Sequence, residues 1–246
     1  VCGIEEVVVT AQKIEQSLQD TPIALTAITA STIEDLDIKN VVDMAGISPN
    51  VMLVETHSNN TSATIAMRGG VTINPAITWE PTVGVYLDGV YLGKTQGAIF
   101  DVVDLERVEI LRGPQGTLYG RNTLGGAINL ISQRPNGSGI ETKLTLGNYG
   151  LTQAQFISDF ELAEGTYGKL VVNSKERDGY VHNAPGPYGG AQGVVPSADP
   201  TVNELDTINS HGFRFTIARD TDNSSFDLSV DYNDQSNTPP FAQLGH

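Results

Sequence analysis

The sequence of 246 residues is poor in cysteine, tryptophan and basic residues. Its single cysteine, Cys2, cannot form a disulfide within the chain, and so close to a chain end we expect it to be incidental. Lys and Arg number 14 against 29 Asp and Glu, a formal charge of −15. This balance argues against nucleic-acid binding, because nucleic-acid binders present a basic surface. No apolar run approaches the roughly 20 residues of a membrane-spanning helix.

The sequence also lacks the motifs of enzymes, metal centres and nucleotide sites. It contains no G-x-S-x-G, no H-E-x-x-H and no Cys/His cluster, and its four histidines are scattered without ligand spacing. The glycine-rich stretch 113–126 lacks the Gly-Lys-Ser/Thr ending of a P-loop and the spacing of a dinucleotide fold. We therefore expect no enzyme activity, no catalytic residues, no metal site and no cofactor.

Residues 22–136 mix short strand patterns with helix starts. The hydrophobic pattern predicts strands over 23–29, 51–55, 64–68, 83–86, 90–92, 107–111 and 127–131. Asp88-Gly89 between two apolar runs indicates a hairpin. Ser31 and Glu34 have the spacing of a capping box, which predicts a helix start, and residues 40–45 predict a second short helix. This part of the chain is expected to be an α+β domain with one core.

Residues 137–246 change to strict alternation of apolar and polar side chains. The segments 141–146, 153–162, 167–177, 212–219 and 226–233 predict five strands with one apolar face each. Their length is near that of tilted membrane strands, and short connections alternate with longer ones, as in an outer-membrane barrel. A soluble antiparallel sheet with one solvated face has the same period and stays an alternative.

Four segments resemble one family. The heptapeptide EEVVVTA (5–11) looks like a TonB box, and RVEILRGPQGTLYGRNTLGGAIN (107–129) closely resembles the hallmark of the plug domain in TonB-dependent outer-membrane receptors. IAMRG (65–69) and VYLDGVY (85–91) resemble two further plug segments. The resemblance implies an N-terminal segment with the box (1–21), an α+β plug domain (22–136) and the first five or so antiparallel transmembrane β-barrel strands (137–246). The family's barrel has about 22 strands, so five cannot close it, and we expect a longer native polypeptide.

The box is the first site that the resemblance implies. Its valines favour an extended backbone, and we expect this segment to be exposed and to add as a strand to the periplasmic domain of TonB. An ordinary first strand of the plug sheet is the alternative. The expected partner-binding residues are Glu5, Glu6, Val7, Val8, Val9, Thr10 and Ala11.

Two further groups of residues are site candidates. Arg107, Glu109 and Arg112 alternate along a predicted strand and are expected to share a face, which the resemblance implies meets the barrel wall; a solvated strand face is the alternative. Loops 72–82 and 178–209 are expected to face substrate outside the membrane, although aromatic side chains there would also serve to pack their own loops. The candidates in those loops are Asn74, Trp79, Glu80, Tyr180 and Tyr188.

The function that the resemblance implies is active uptake of a scarce nutrient, by default a ferric siderophore, across the outer membrane of a Gram-negative bacterium. The expected partners are TonB with its inner-membrane energising complex, outer-membrane lipid and a small molecule such as a metal chelate. Two alternatives remain. A signalling receptor of the same family would carry a folded domain before the box, and only four residues precede Glu5. A non-transporting structural β-protein would leave the box and the glycine-rich hallmark unexplained.

Overall fold

The computed structural model describes residues 7–11, 13–56, 59–72, 80–93, 103–182, 204–221 and 223–238. The chain divides into two compact units, the first made of residues 1–56 with 61–133 and the second of residues 57–60 with 134–246. In the described ranges, no helix has the length and apolar character needed to cross a membrane. The division of the chain at 21 and 136 stays a prediction, and the described residues before 22 belong to the first unit.

The first unit combines short strands with a few single turns of helix. Its 3-10 turns span Leu18–Asp20 and Val41–Met44. Its strands and helices, in chain order, are β1 (Val8–Val9), β2 (Gln16–Ser17), β3 (Leu25–Thr29), α1 (Ala30–Asp35), β4 (Val51–Thr56), β5 (Asn59–Met67), β6 (Gly70–Val71), β7 (Val83–Leu87), β8 (Val90–Leu92), β9 (Leu105–Arg112), α2 (Gly116–Tyr119) and β10 (Gly126–Ser132).

A five-stranded sheet of order β3-β9-β10-β7-β8 forms the centre of this unit. The β7–β8 hairpin confirms the Asp-Gly turn, while β10 and β7 pair in parallel and the other neighbours are antiparallel. β9 and β10 are buried over most of their length because both of their faces are covered. Gly126 has φ 154°, and a Cβ there would overlap the carbonyl oxygen of Leu111, so only glycine fits where β10 begins against β9.

The start of α1 differs from the predicted one, whereas the 3-10 turn Val41–Met44 confirms the short helix predicted at 40–45. α1 begins at Ala30, and Thr29 rather than Ser31 caps it, with the Thr32 amide 3.4 Å from Thr29 Oγ1. The expected Ser31–Glu34 capping box was wrong because the helix starts ahead of Ser31. A reciprocal capping box is present at Asn40, whose side chain accepts from the Val42 amide at 2.7 Å while Asp43 accepts from the Asn40 amide at 3.0 Å.

The second unit is built on five long antiparallel strands. They pair in the order β11-β12-β13-β16-β17 and confirm the five predicted strands. Within the long connection between β13 and β16, the two-residue strands β14 and β15 pair with each other. The elements of this unit are β11 (Ser138–Leu146), β12 (Thr152–Ala163), β13 (Thr166–Arg177), β14 (Val181–His182), β15 (Glu204–Leu205), β16 (Ile208–Thr221) and β17 (Ser224–Gln235).

The sidedness of these strands is the reverse of a soluble sheet. On β12 and β13, the apolar side chains of Phe156 and Val172 are 38% and 39% exposed, whereas Gln153, Asp159 and Lys169 are all less than 9% exposed. The edge strands β11 and β17 are exposed on both faces. A soluble sheet would bury the apolar set and leave the polar set in water. Apolar-out and polar-in alternation is the pattern of a lipid-facing wall, so the soluble-sheet alternative does not fit.

The chain enters the second unit through a segment bonded to these strands. The amides of Asn136 and Gly137 both donate to the carboxylate of Asp159, at 2.7–3.1 Å, and Lys169 Nζ lies 3.5 Å from the same carboxylate. Arg134 donates to Asp220 and Asp227 at 2.8 and 2.9 Å. The segment before β11 is therefore fixed by side chains of β12, β16 and β17.

Candidate functional site

Residues of the predicted box form one arm of a small hairpin. β1 pairs with β2 through Val8 opposite Ser17 and Val9 opposite Gln16, and the Leu18 amide donates to the Val7 carbonyl at 2.9 Å. In an antiparallel pair, successive residues direct their backbone groups alternately toward and away from the partner. Val7 and Val9 therefore face β2, and the amides of Val8 and Thr10 lie on the outer edge.

The outer edge at Thr10 is occupied by a buried carboxylate. Glu109 Oε1 accepts from the Thr10 amide at 2.7 Å and lies 3.2 Å from its hydroxyl. The Glu109 side chain is fully buried on β9, and Arg107 Nε donates to the same oxygen at 2.9 Å. Arg107 Nη2 also lies 3.1 Å from Thr10 Oγ1, and Asn129 Nδ2 lies 3.4 Å from Glu109 Oε2. A charged pair in the core of the unit thus holds the backbone of the box.

Tyrosine side chains hold the end of the box. Tyr119, on α2, donates its hydroxyl to the Ala11 carbonyl at 3.0 Å. Lys13 Nζ lies 4.6 Å from the centre of the Tyr119 ring and 5.9 Å from that of Tyr86, within range of cation–π attraction. Burial, with smaller contributions from the charge of Glu109 and from Tyr86, raises the pKa of Tyr119 to about 12. The phenol therefore remains a hydrogen-bond donor at physiological pH.

The expectation of an exposed box was wrong for its second half. Val9 and Ala11 are 1% and 0% exposed, whereas Val8 remains 45% exposed; Glu5 and Glu6 lie outside the described residues. The buried end is the one that contacts Glu109 and Tyr119. A signal for this was present in the sequence, since Glu109 lies between Val108 and Ile110 and a buried carboxylate requires donors. Sequence reasoning named Thr10 and Arg107 without joining the box to Glu109, and it did not identify Tyr119, Lys13 and Asn129.

Arg112 does not share a face with Arg107 and Glu109, contrary to expectation. Its number has the opposite parity, and side chains alternate along a strand. The structure brings Arg107 and Glu109 together under Thr10, while Arg112 Nη1 lies 3.3 Å from the carbonyl of Pro49. Arg107 also pairs with the half-exposed Glu106. The contact of these three residues with a barrel wall stays a prediction.

The substrate-facing candidates are only partly described. Glu80 is exposed and lies 3.1 Å from Arg121 Nη1. Tyr180 is half-exposed, packs against Tyr149 in the turn between β11 and β12 with ring centres 5.5 Å apart, and lies under the guanidinium of Arg177 at the end of β13; its contact with substrate stays a prediction. Asn74, Trp79 and Tyr188 lie outside the described residues. In the described part of the chain, His, Cys, Asp and Glu form no group suited to a metal ion.

Residues 17–127 match the family described as the TonB-dependent receptor plug domain. Among curated proteins, the chain is 29% identical over 181 residues to the vitamin B12 transporter BtuB of Vibrio vulnificus, covering 72% of this chain and 28% of that protein. It is 33% identical over 141 residues to the catecholate siderophore receptor Fiu of Escherichia coli, covering 55% and 17%.

Solved structures share the fold. The ferric yersiniabactin uptake receptor FyuA of Yersinia pestis superposes with a TM-score of 0.71 at 22% identity, covering 89% of this chain and 32% of that one. The pyoverdine receptor FpvA of Pseudomonas aeruginosa gives 0.69 at 16% identity, covering 93% and 30%. The chain thus spans less than a third of each of these relatives.

Proposed function

Since the chain belongs to the TonB-dependent receptors of the Gram-negative outer membrane, we propose that it serves TonB-driven uptake of a scarce nutrient and that its box is the handle on which TonB acts. The observation that carries this proposal is the hairpin arm Val8–Val9. The two residues that follow it, Thr10 and Ala11, are hydrogen-bonded to Glu109 and Tyr119.

The docked box has little backbone to offer a partner. Val7 and Val9 are turned toward β2, the Thr10 amide is bonded to Glu109, and the Ala11 carbonyl is bonded to Tyr119. Only the outer edge of Val8 is left among these residues. Strand addition needs several consecutive main-chain bonds, each worth about 0.5–1.5 kcal/mol net. TonB would therefore bind the released box far better than the docked one. Docking would thus limit the binding of TonB to a receptor that holds no substrate.

A ferric siderophore is the cargo that we favour. Relatives named for catecholate siderophores, yersiniabactin and pyoverdine support it, although the B12 transporter shows that relatives of similar distance carry other metal complexes. No energy source is needed in the chain itself if the partner supplies the work. A comparison of tryptophan quenching in the full-length receptor by a ferric catecholate and by cyanocobalamin would separate these cargo classes.

Binding of the purified periplasmic TonB domain to the full-length receptor tests the handle. Val8→Pro removes the one free outer-edge amide and fixes φ, but leaves the β1–β2 bonds in place, so we expect TonB binding to be lost. Val8→Thr keeps the amide and the β-branched shape and should bind as the native protein does. Binding that is absent in the native receptor, or equal in the two variants, would remove the box from the mechanism and favour a structural β-protein.

A further inference from the structure

The segment before β11 contains the only Asn-Gly pair of the sequence, Asn136-Gly137. An asparagine followed by glycine is prone to lose its side-chain amide, because glycine leaves the following backbone nitrogen sterically free to react. In this reaction the nitrogen of Gly137 gives up its proton and attacks the side-chain carbonyl carbon of Asn136. A new C–N bond closes a five-membered ring, the bond to the side-chain NH2 breaks, and ammonia leaves with a proton. Water then opens the ring to aspartate or isoaspartate.

The turn into β11 requires both residues of the pair. Asn136 Oδ1 accepts from the Ser138 amide at 3.0 Å, a local bond that asparagine side chains form at turns. Gly137 has φ 84°, in the left-handed region, and a Cβ on it would lie 2.5 Å from the ring of Tyr167. Since a larger residue at 137 would be strained and would overlap Tyr167, the fold itself places a reactive pair at this point.

Burial does not protect this pair from the reaction. Asn136 is exposed to water, and Gly137 is only partly buried. The hydrogen bond from Ser138 polarises the side-chain carbonyl group of Asn136, which favours attack on its carbon. Protection therefore has to act on the attacking nitrogen of Gly137.

A buried carboxylate holds that nitrogen. The Gly137 amide donates to Asp159 Oδ1 at 2.7 Å, and the Asn136 amide lies 3.0 and 3.1 Å from the two oxygens of the same carboxylate. The Asp159 side chain is only 6% exposed, and Lys169 Nζ lies 3.5 Å from it. A negative charge beside an amide opposes the loss of the amide proton. The contact with Asp159 therefore opposes the first step of the reaction.

We propose that Asn136 is a deamidation site and that the carboxylate of Asp159 protects it in the folded receptor. A chain that loses this contact converts Asn136. The product carries a second carboxylate close to Asp159, and as isoaspartate it also has an additional methylene in its backbone. Both changes disfavour the return of the segment to Asp159, so the loss of the contact becomes permanent. This inference concerns the second unit and depends neither on TonB nor on the cargo.

The protection can be measured as a rate of conversion. Mass spectrometry of the peptide that contains residue 136 gives the converted fraction in the full-length receptor, folded in vesicles and kept in mildly alkaline buffer. A hydrogen bond to a charged group corresponds to about ten- to a hundredfold in rate. We expect Asn136 to convert more slowly by that factor in the native receptor than in the same protein unfolded in urea. Equal rates, or no conversion in urea, would overturn the proposal.

Two variants separate the role of the carboxylate from that of stability. Asp159→Ala removes the acceptor of the Gly137 amide and should raise the rate of conversion about ten- to a hundredfold. Lys169→Met removes the other member of the buried pair but keeps the acceptor, so its rate should stay close to that of the native receptor. Both variants leave one buried charge or contact without its partner and destabilise the same strands. An equal rise in the two would therefore overturn the proposal.

An internal reference and a third variant complete the experiment. Asn223-Ser224 lies in the exposed turn between β16 and β17, and the Ser224 amide is bonded to the hydroxyl of Thr221 rather than to a carboxylate. Its rate should be the same in all folded variants, and any rise there measures general loosening of the unit. Asp159→Asn serves if the alanine variant does not fold, since it keeps the shape of the side chain without its charge. Its rate should rise by less than that of Asp159→Ala, and an unchanged rate would contradict the role of the carboxylate.

Discussion

Each unit contains a buried carboxylate that holds a length of backbone, and the two differ in how firmly they hold it. Glu109, paired with Arg107, accepts one amide and one hydroxyl from Thr10. Asp159, paired with Lys169, accepts two consecutive amides, from Asn136 and Gly137. The segment before β11 is further fixed by Arg134, whereas the box is further held by Tyr119 and by its pairing with β2. The comparison shows that a buried ion pair fixes backbone in both units, through one amide in the first and two in the second.

Removal of either carboxylate should have the largest effect on stability. Glu109→Ala leaves Arg107 in the core without its buried partner. Asp159→Ala removes the buried partner of Lys169 and also the acceptor of the Asn136 and Gly137 amides. A buried charge that loses its partner costs about 3–5 kcal/mol. Hydrogen exchange of β9 and β12 amides in the purified receptor should show each loss confined to its own unit.

Glu106→Ala is the control for the first of these changes. Glu106 also pairs with Arg107, but it is half-exposed, so its loss should cost less than about 1 kcal/mol. Equal protection of the β9 amides in Glu109→Ala and the native receptor would contradict the role of the buried pair.

The reversed sidedness of the second unit predicts the next largest effect. Phe156→Arg places a charge on the exposed apolar face of β12 near the middle of the strand and should disfavour folding into phospholipid vesicles by about 2–4 kcal/mol. Gln155→Arg, on the opposite face of the same strand, should cost far less. The reverse ranking, measured by urea titration of the vesicle-folded protein, would mean that the apolar face is not lipid-facing.

Tyr119→Phe should have a moderate and local effect. It deletes the hydrogen bond to the Ala11 carbonyl but keeps the ring beneath Lys13, so docking of the box should weaken by about 0.5–1.5 kcal/mol. A nitroxide label at Val8→Cys, in the full-length receptor without other cysteines, would register this as a larger mobile fraction, with the hydrogen exchange of the β12 amides unchanged. A label that stays as immobile as in the native receptor would mean that Glu109, Arg107 and the pairing with β2 hold the box without the Tyr119 hydroxyl.

The smallest expected effect is that of pH on docking. Because burial raises the pKa of Tyr119 from 10.0 to about 12 in the docked state, the stabilisation from its protonated hydroxyl is fully present below pH 10 and is lost as pH rises through about 12. The mobile fraction of the Val8 label should therefore be flat between about pH 6 and pH 9. A rise within that interval would show that another group controls the box.

Local patterns in the sequence were sufficient for most of the elements. Strict alternation gave the five strands β11, β12, β13, β16 and β17, because a period of two needs only neighbouring residues. The Asp-Gly turn between β7 and β8 was predicted for the same reason. The start of α1 was missed, since several hydroxyl residues in a row compete for the cap and their backbone geometry decides among them.

The sequence by itself determined the resemblance to the plug domain and the alternation of the five long strands, and it predicted the box. Only the tertiary structure decided that the box is half buried and that Glu109 and Tyr119 hold it. Thr10 and Glu109 are 99 residues apart in the chain, and no local pattern encodes a hydrogen bond over that separation. Which face of an alternating strand meets lipid was also undecided locally, because the period is the same in both solvents and only burial distinguishes them.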